Sequence, residues 1–142
     1  MAARSAVEMS SGPIGSLPDD AVKALESSAR TSSLSSPLVV TGKSGIRHGF
    51  TLGIKGPASV ALACDVVVSE PPTPIDETKV LSLFIKVYDV NANNVVLCAI
   101  PSLTSEAKKL ASQYKMIVLE APDKEQALAR LPNVLRKLPI EK

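Results

Sequence analysis

Aromatic residues are scarce in this chain: two Phe, two Tyr and no Trp among 142 residues. A single domain of this length has a real core to fill, so Val, Leu, Ile and Ala must fill it. Histidine occurs once and cysteine twice, without a CxxC pair, which argues against a zinc site. Cys64 and Cys98 lie inside apolar runs and read as buried thiols of a reducing, intracellular compartment. No apolar run approaches the roughly 20 residues that cross a bilayer, and the N-terminus lacks the charged-then-apolar pattern of a secretion signal. A cytoplasmic protein with no membrane partner is expected. Strong charge of one sign is also missing: the net charge is +2. That permits contact with nucleic acid but does not supply the basic stripe of a dedicated binder.

Turn and breaker residues divide what is present. Residues 1–16 are rich in Ser, Ala and Gly without apolar period and are expected to be a disordered tail; residues 17–142 form the single domain. Pro18-Asp19-Asp20 opens a short helix to about Ala29, and the Ser-rich stretch 31–36 is a linker. Leu38 to Thr41, Ile46 to Lys55 and Ser59 to Ser69 read as three strands. Their connections, Gly42-Lys43-Ser44-Gly45 and Gly56-Pro57, are too short for crossovers, so an antiparallel meander is expected. Asp76 caps a helix to about Asp89. Lys79, Ser82, Lys86 and Asp89 form one polar stripe on it, and its other sides are apolar, which predicts burial on more than one side. Val95 to Ile100 is an apolar strand, Thr104 caps the next helix, and Met116 to Leu119 is a strand parallel to the one before it. A last helix covers about Asp123 to Leu138 and should be strained or broken at Pro132.

Within the third strand, Val60-Ala61-Leu62-Ala63-Cys64-Asp65-Val66-Val67-Val68, one carboxylate stands in an apolar run. Burying it is costly unless Asp65 is paired, hydrogen-bonded or bound to a cation.

The resulting order is α-βββ-α-β-α-β-α, a mixed five-stranded sheet flanked by helices in an α/β fold. Its landmarks are Gly42-Lys43-Ser44-Gly45-Ile46-Arg47-His48-Gly49-Phe50, Cys64-Asp65-Val66-Val67-Val68-Ser69-Glu70, Phe84-Ile85-Lys86-Val87-Tyr88-Asp89, and the run from Ala99 to Ala107. With them the chain resembles the restriction-endonuclease-like, or PD-(D/E)xK, superfamily, in particular its archaeal Mrr-related small domains. The resemblance spans roughly Leu34 to Ala121.

The family's chemistry implies an acid on the second strand and an acid-x-lysine on the third. Two carboxylates hold Mg²⁺, and the lysine orients the nucleophile or stabilises developing charge. Here Thr51 occupies the place of the first acid, and Val67 that of the lysine. Asp65 keeps the position of the metal-binding acid. Lys86 on the following helix offers a migrated lysine, and Glu70 a second oxygen ligand, if the site is active. Otherwise no cofactor is expected.

His48 alternates with apolar residues and reads as a partly buried, hydrogen-bonded histidine. Gly42-Lys43-Ser44-Gly45 fails the full phosphate-loop pattern, because no helix follows, and reads as a hairpin turn. Lys43, Arg47, His48 and Lys55 are candidate nucleic-acid contacts beside the sheet. The segment from Val95 to Leu119 lacks the glycines of a dinucleotide site. The expected function is a non-catalytic restriction-endonuclease-like domain that binds DNA or another nucleic acid, or a protein partner. The alternatives are an active Mg²⁺-dependent endonuclease of the Mrr type and a structural adaptor; a homodimer fits all three.

Overall fold

A computed structural model of the chain describes residues 12–29, 33–57 and 59–138. The elements are β1 (Gly12–Pro13), α1 (Asp19–Ala29), β2 (Leu38–Thr41), β3 (Arg47–Phe50), β4 (Leu52–Lys55), β5 (Val60–Val68), α2 (Glu77–Val90), β6 (Val95–Ile100), α3 (Ser105–Gln113), β7 (Ile117–Glu120) and α4 (Lys124–Arg136). They make an α/β fold with a five-stranded mixed sheet and a separate two-stranded sheet of β2 and β3.

β5 is the spine. It runs parallel to β6, and β6 runs parallel to β7, as crossovers through α2 and α3 allow. The other edge of β5 is shared end to end. β4 pairs antiparallel with Val60 to Cys64, and β1 pairs antiparallel with Val67 and Val68. Side chains of β5 alternate between two faces. Leu62, Cys64 and Val66 join α1 and α4 through Leu25, Ala29, Leu131 and Leu135. Ala63 and Val67 join α2 and α3 through Val80, Leu83, Ala107 and Ala111. The sheet is therefore covered on both faces, which is why β5 and β6 read as continuous apolar runs.

Several expectations need correction. The second strand of the meander is two strands: β3 pairs with β2, β4 pairs with β5, and Thr51 stands at the break. The five-stranded sheet consequently holds β1 and β4 but neither β2 nor β3. Of the tail expected to be disordered, residues 1–11 lie outside the described residues, while Gly12–Pro13 pairs with β5. Ile14 donates its N–H to Val66 O at 2.7 Å, because the far half of that strand edge would otherwise go unpaired.

Helix α2 is buried on one side only, through Val80, Leu83, Val87 and Val90. Leu81, Ile85 and Tyr88, which the sequence reading placed inside, are exposed. Helix α4 continues through Pro132 to Arg136 without interruption. The two expected caps, Asp76 and Thr104, each accept a backbone N–H at the start of a helix, and Asp123, expected as the start of the last helix, caps it in the same way. Among the described residues, no helix is long and apolar enough to cross a membrane.

Candidate functional site

Asp65 lies at the middle of β5, on the face shared with Ala63 and Val67, and is only 2% exposed. Its position coincides with the change of neighbour on the β5 edge, beyond the last β4 pair at Cys64 and before the first β1 pair at Val67. Thr51 fills that gap. Its backbone N–H donates to Asp65 Oδ1 at 3.0 Å. Its hydroxyl accepts the Val66 N–H at 3.1 Å and donates to Ile14 O. One residue thus splices β4 to β1 along β5 and caps the carboxylate beside it.

Lys86 supplies the other half. From α2 its Nζ donates to Asp65 Oδ2 at 2.6 Å and to Gly49 O at 2.9 Å. The ammonium also lies 4.8 Å from the centroid of the Phe50 ring, a favourable cation–π distance. The side chains are 19% exposed for Lys86 and 3% for Asp65, so the lysine reaches water and the carboxylate does not. Both carboxylate oxygens are thereby taken by protein donors, which answers the desolvation cost of a charge in an apolar strand.

A second polar cluster fixes the β2–β3 hairpin on α2. Asp89 accepts the Ser44 N–H at 2.9 Å and the Ser44 hydroxyl at 2.6 Å. His48 Nε2 lies 2.8 Å from the same carboxylate. The Ser44 hydroxyl first, and His48 after it, hold the Asp89 carboxyl below the usual aspartate range. Gly42 is required by this contact: a Cβ there would stand 2.0 Å from Asp89 Oδ2.

The sequence-derived site residues separate into three groups. Asp65 and Lys86 are brought together. Glu70 is exposed beyond the end of β5 and takes no part in the Asp65 hydrogen bonds. Among the described residues no three His, Cys, Asp or Glu side chains gather to hold a metal ion. With one oxygen of Asp65 on an N–H and the other on an ammonium, the donor set does not fit Mg²⁺, which demands several oxygens in near-octahedral order. Of the proposed nucleic-acid contacts, Lys43 and Lys55 line one open groove of about 410 Å³. His48 is committed to Asp89, and Arg47 is exposed on the adjoining strand position.

Sequence reasoning missed Thr51 as a structural partner, Ser44 as a ligand of Asp89, and Lys115 and Tyr88 as residues lining, with Lys43, a second open groove of about 290 Å³. For Asp89 a signal existed. It sits three residues after Lys86 on the polar stripe, and both residues turn towards β3 rather than solvent.

No protein-family model and no curated protein matches the chain. Among solved structures it is similar to the crystal structure of a protein of unknown function, AF1548, with a TM-score of 0.60. The likeness covers 85% of this chain and 69% of that one at 14% identity. It shows a shared fold and nothing finer.

Proposed function

We propose that this chain is a non-catalytic restriction-endonuclease-like domain that binds nucleic acid. The reading is supported by the strand and helix order, by Asp65 at the position of the family's metal-binding acid, and by the two lysines on one groove. The observation that carries it is the saturation of Asp65 by Thr51 and Lys86. In a family of this kind the acid faces a cation and the lysine a nucleophile. Here the lysine neutralises the acid, and the pair spans from β5 to α2 as a brace. Lys43 and Lys55 keep the electrostatic contact with phosphates.

An active endonuclease is the second reading, favoured by one observation: the acid and a migrated lysine do meet, at 2.6 Å. Incubation of plasmid and oligonucleotides with Mg²⁺ or Mn²⁺ separates the two. The proposal expects intact substrate. Cleavage that disappears in Asp65→Ala would overturn it. Nucleic-acid binding itself is read from affinity against salt, which should fall linearly in log–log form. Absence of binding at low salt to any oligonucleotide would leave only an adaptor role.

A further inference from the structure

Three of the four aromatic residues of this chain are gathered at one surface: Phe84 and Tyr114 are half-buried and pack against the core, and Tyr88 is exposed. Tyr114 stacks on Phe84 with ring centroids 3.9 Å apart, and Phe84 lies 5.9 Å from Tyr88. Tyr88 is 67% exposed, and Lys43 Nζ stands 4.9 Å from its ring centroid. The row lines an open groove of about 290 Å³ that Lys43 and Lys115 also line, and its Tyr88 ring is the one that stands clear of the core.

That groove shares Lys43 and Asn91 with the groove of Lys55, so the two adjoin and count together as one trough. The trough crosses the ends of the sheet where α2 finishes and β5 and β6 begin. Asp89 is the acid on its described walls, and its oxygens are occupied by Ser44 and His48. The three lysines outnumber the one carboxylate on those walls and leave an excess of positive charge.

From this arrangement we infer that the trough is a site for single-stranded nucleic acid, with Tyr88 as the platform on which an unpaired base stacks and Lys43, Lys55 and Lys115 as the phosphate contacts. This rests on the nucleic-acid-binding reading above and adds strandedness and place to it. The physical logic is that of single-strand binders, in which aromatic faces take bases and cations track the backbone. A paired base keeps its faces against its neighbours and cannot use the platform. The rim carries an excess of positive charge, which attracts a phosphate backbone and disfavours the same rim on a second copy.

The chain provides its own reporter. Without Trp, its intrinsic fluorescence comes from Tyr88 and Tyr114 alone, and both line this trough. Titration with a fifteen-nucleotide oligothymidylate at low salt should quench that fluorescence and bind at least about tenfold more tightly than the matching duplex. Tyr88→Ser, at an exposed position that leaves the core intact, should weaken the single strand about tenfold and leave duplex binding unchanged. Lys43→Gln with Lys55→Gln should weaken both and lower the salt slope by about two.

Binding that ignores strandedness, or that leaves tyrosine emission and the Tyr88→Ser affinity unchanged, would overturn the site while nucleic-acid binding stands. No binding of either form would overturn both readings. Self-association by sedimentation, abolished in Tyr88→Ser and unaccompanied by oligonucleotide binding, would assign the platform to a second copy instead.

Discussion

Thr51 and Asp65 are joined by a 3.0 Å hydrogen bond from backbone to carboxylate, so the residue at the break between β3 and β4 caps the buried acid of β5. The same threonine holds Val66 and Ile14 through its hydroxyl. Its side chain is effectively buried, and no water can replace those bonds at low cost. Thr51→Val keeps the volume and removes the hydroxyl, leaving an N–H and a carbonyl unpaired. A loss of about 2 kcal/mol is expected, since each buried unsatisfied group costs on the order of 1–3 kcal/mol. Hydrogen exchange should show where: the Ile14 and Val66 amides should lose protection before those of β6. Uniform loss across the sheet would contradict a local splice.

The Asp65–Lys86 brace predicts an order of damage. Lys86→Met strands a carboxylate that is 3% exposed, and breaking a buried pair from one side costs about 3–5 kcal/mol. Asp65→Leu is milder, because Lys86 reaches solvent and can turn outward. Asp65→Asn is milder again, since its amide oxygen still accepts the Thr51 N–H. Combining Asp65→Leu with Lys86→Met should cost less than the sum of the two, because neither charge is then left alone. Urea unfolding of the four variants measures this. Equal effects of Asn and Leu at position 65 would refute the hydrogen-bonded role.

The elements were legible where period and caps agree. β5, β6 and the helices capped by Asp76, Thr104 and Asp123 follow from apolar runs and first-turn side chains. The pairing of Asp65 with Lys86 was open to a sequence argument, because a lone charge in a strand needs a partner and the polar stripe of α2 offered one. Three features were not legible. The run from Ile46 to Lys55 alternates without a breaker at Thr51, so its division between two sheets depends on tertiary pairing alone. The pairing of Gly12–Pro13 depends on an edge that only the folded β5 presents. The exposure of Leu81, Ile85 and Tyr88 inverts the usual amphipathic rule, because Lys86 and Asp89 are used inward against β3.

Acid should loosen the hairpin from α2. The Asp89 carboxyl is held low by Ser44 and His48, so its contribution to stability is complete above the unfolded aspartate value, about 3.9. It is lost as pH falls through the lower folded value. Stability measured by urea midpoints from pH 6 to pH 2 should fall in that window. In Asp89→Asn and in Ser44→Ala the fall should be shallower. An identical slope in all three proteins would show that the cluster does not couple to folding.

At the alkaline end the two cysteines dominate. Burial pushes the Cys98 thiol up to about 12, and it pushes Cys64 well up too, with Cys98 and Asp65 adding negative charge nearby. In the unfolded chain both titrate near 8.5. Above that value the unfolded state releases protons that the folded state keeps, so stability must decline as pH rises. The slope should approach about 1.4 kcal/mol per pH unit for each thiol, from about pH 8.5 towards the folded values. Cys98→Ala should remove roughly half of it, despite its own cavity cost at neutral pH. The same burial makes both thiols inert while the protein is folded. Labelling by a thiol reagent at pH 8 should therefore follow unfolding, accelerate in parallel at both residues with urea, and give no fast phase. A fast phase at Cys64 alone would mean that β5 opens locally beside Asp65, and the brace to α2 would then be weaker than its geometry implies.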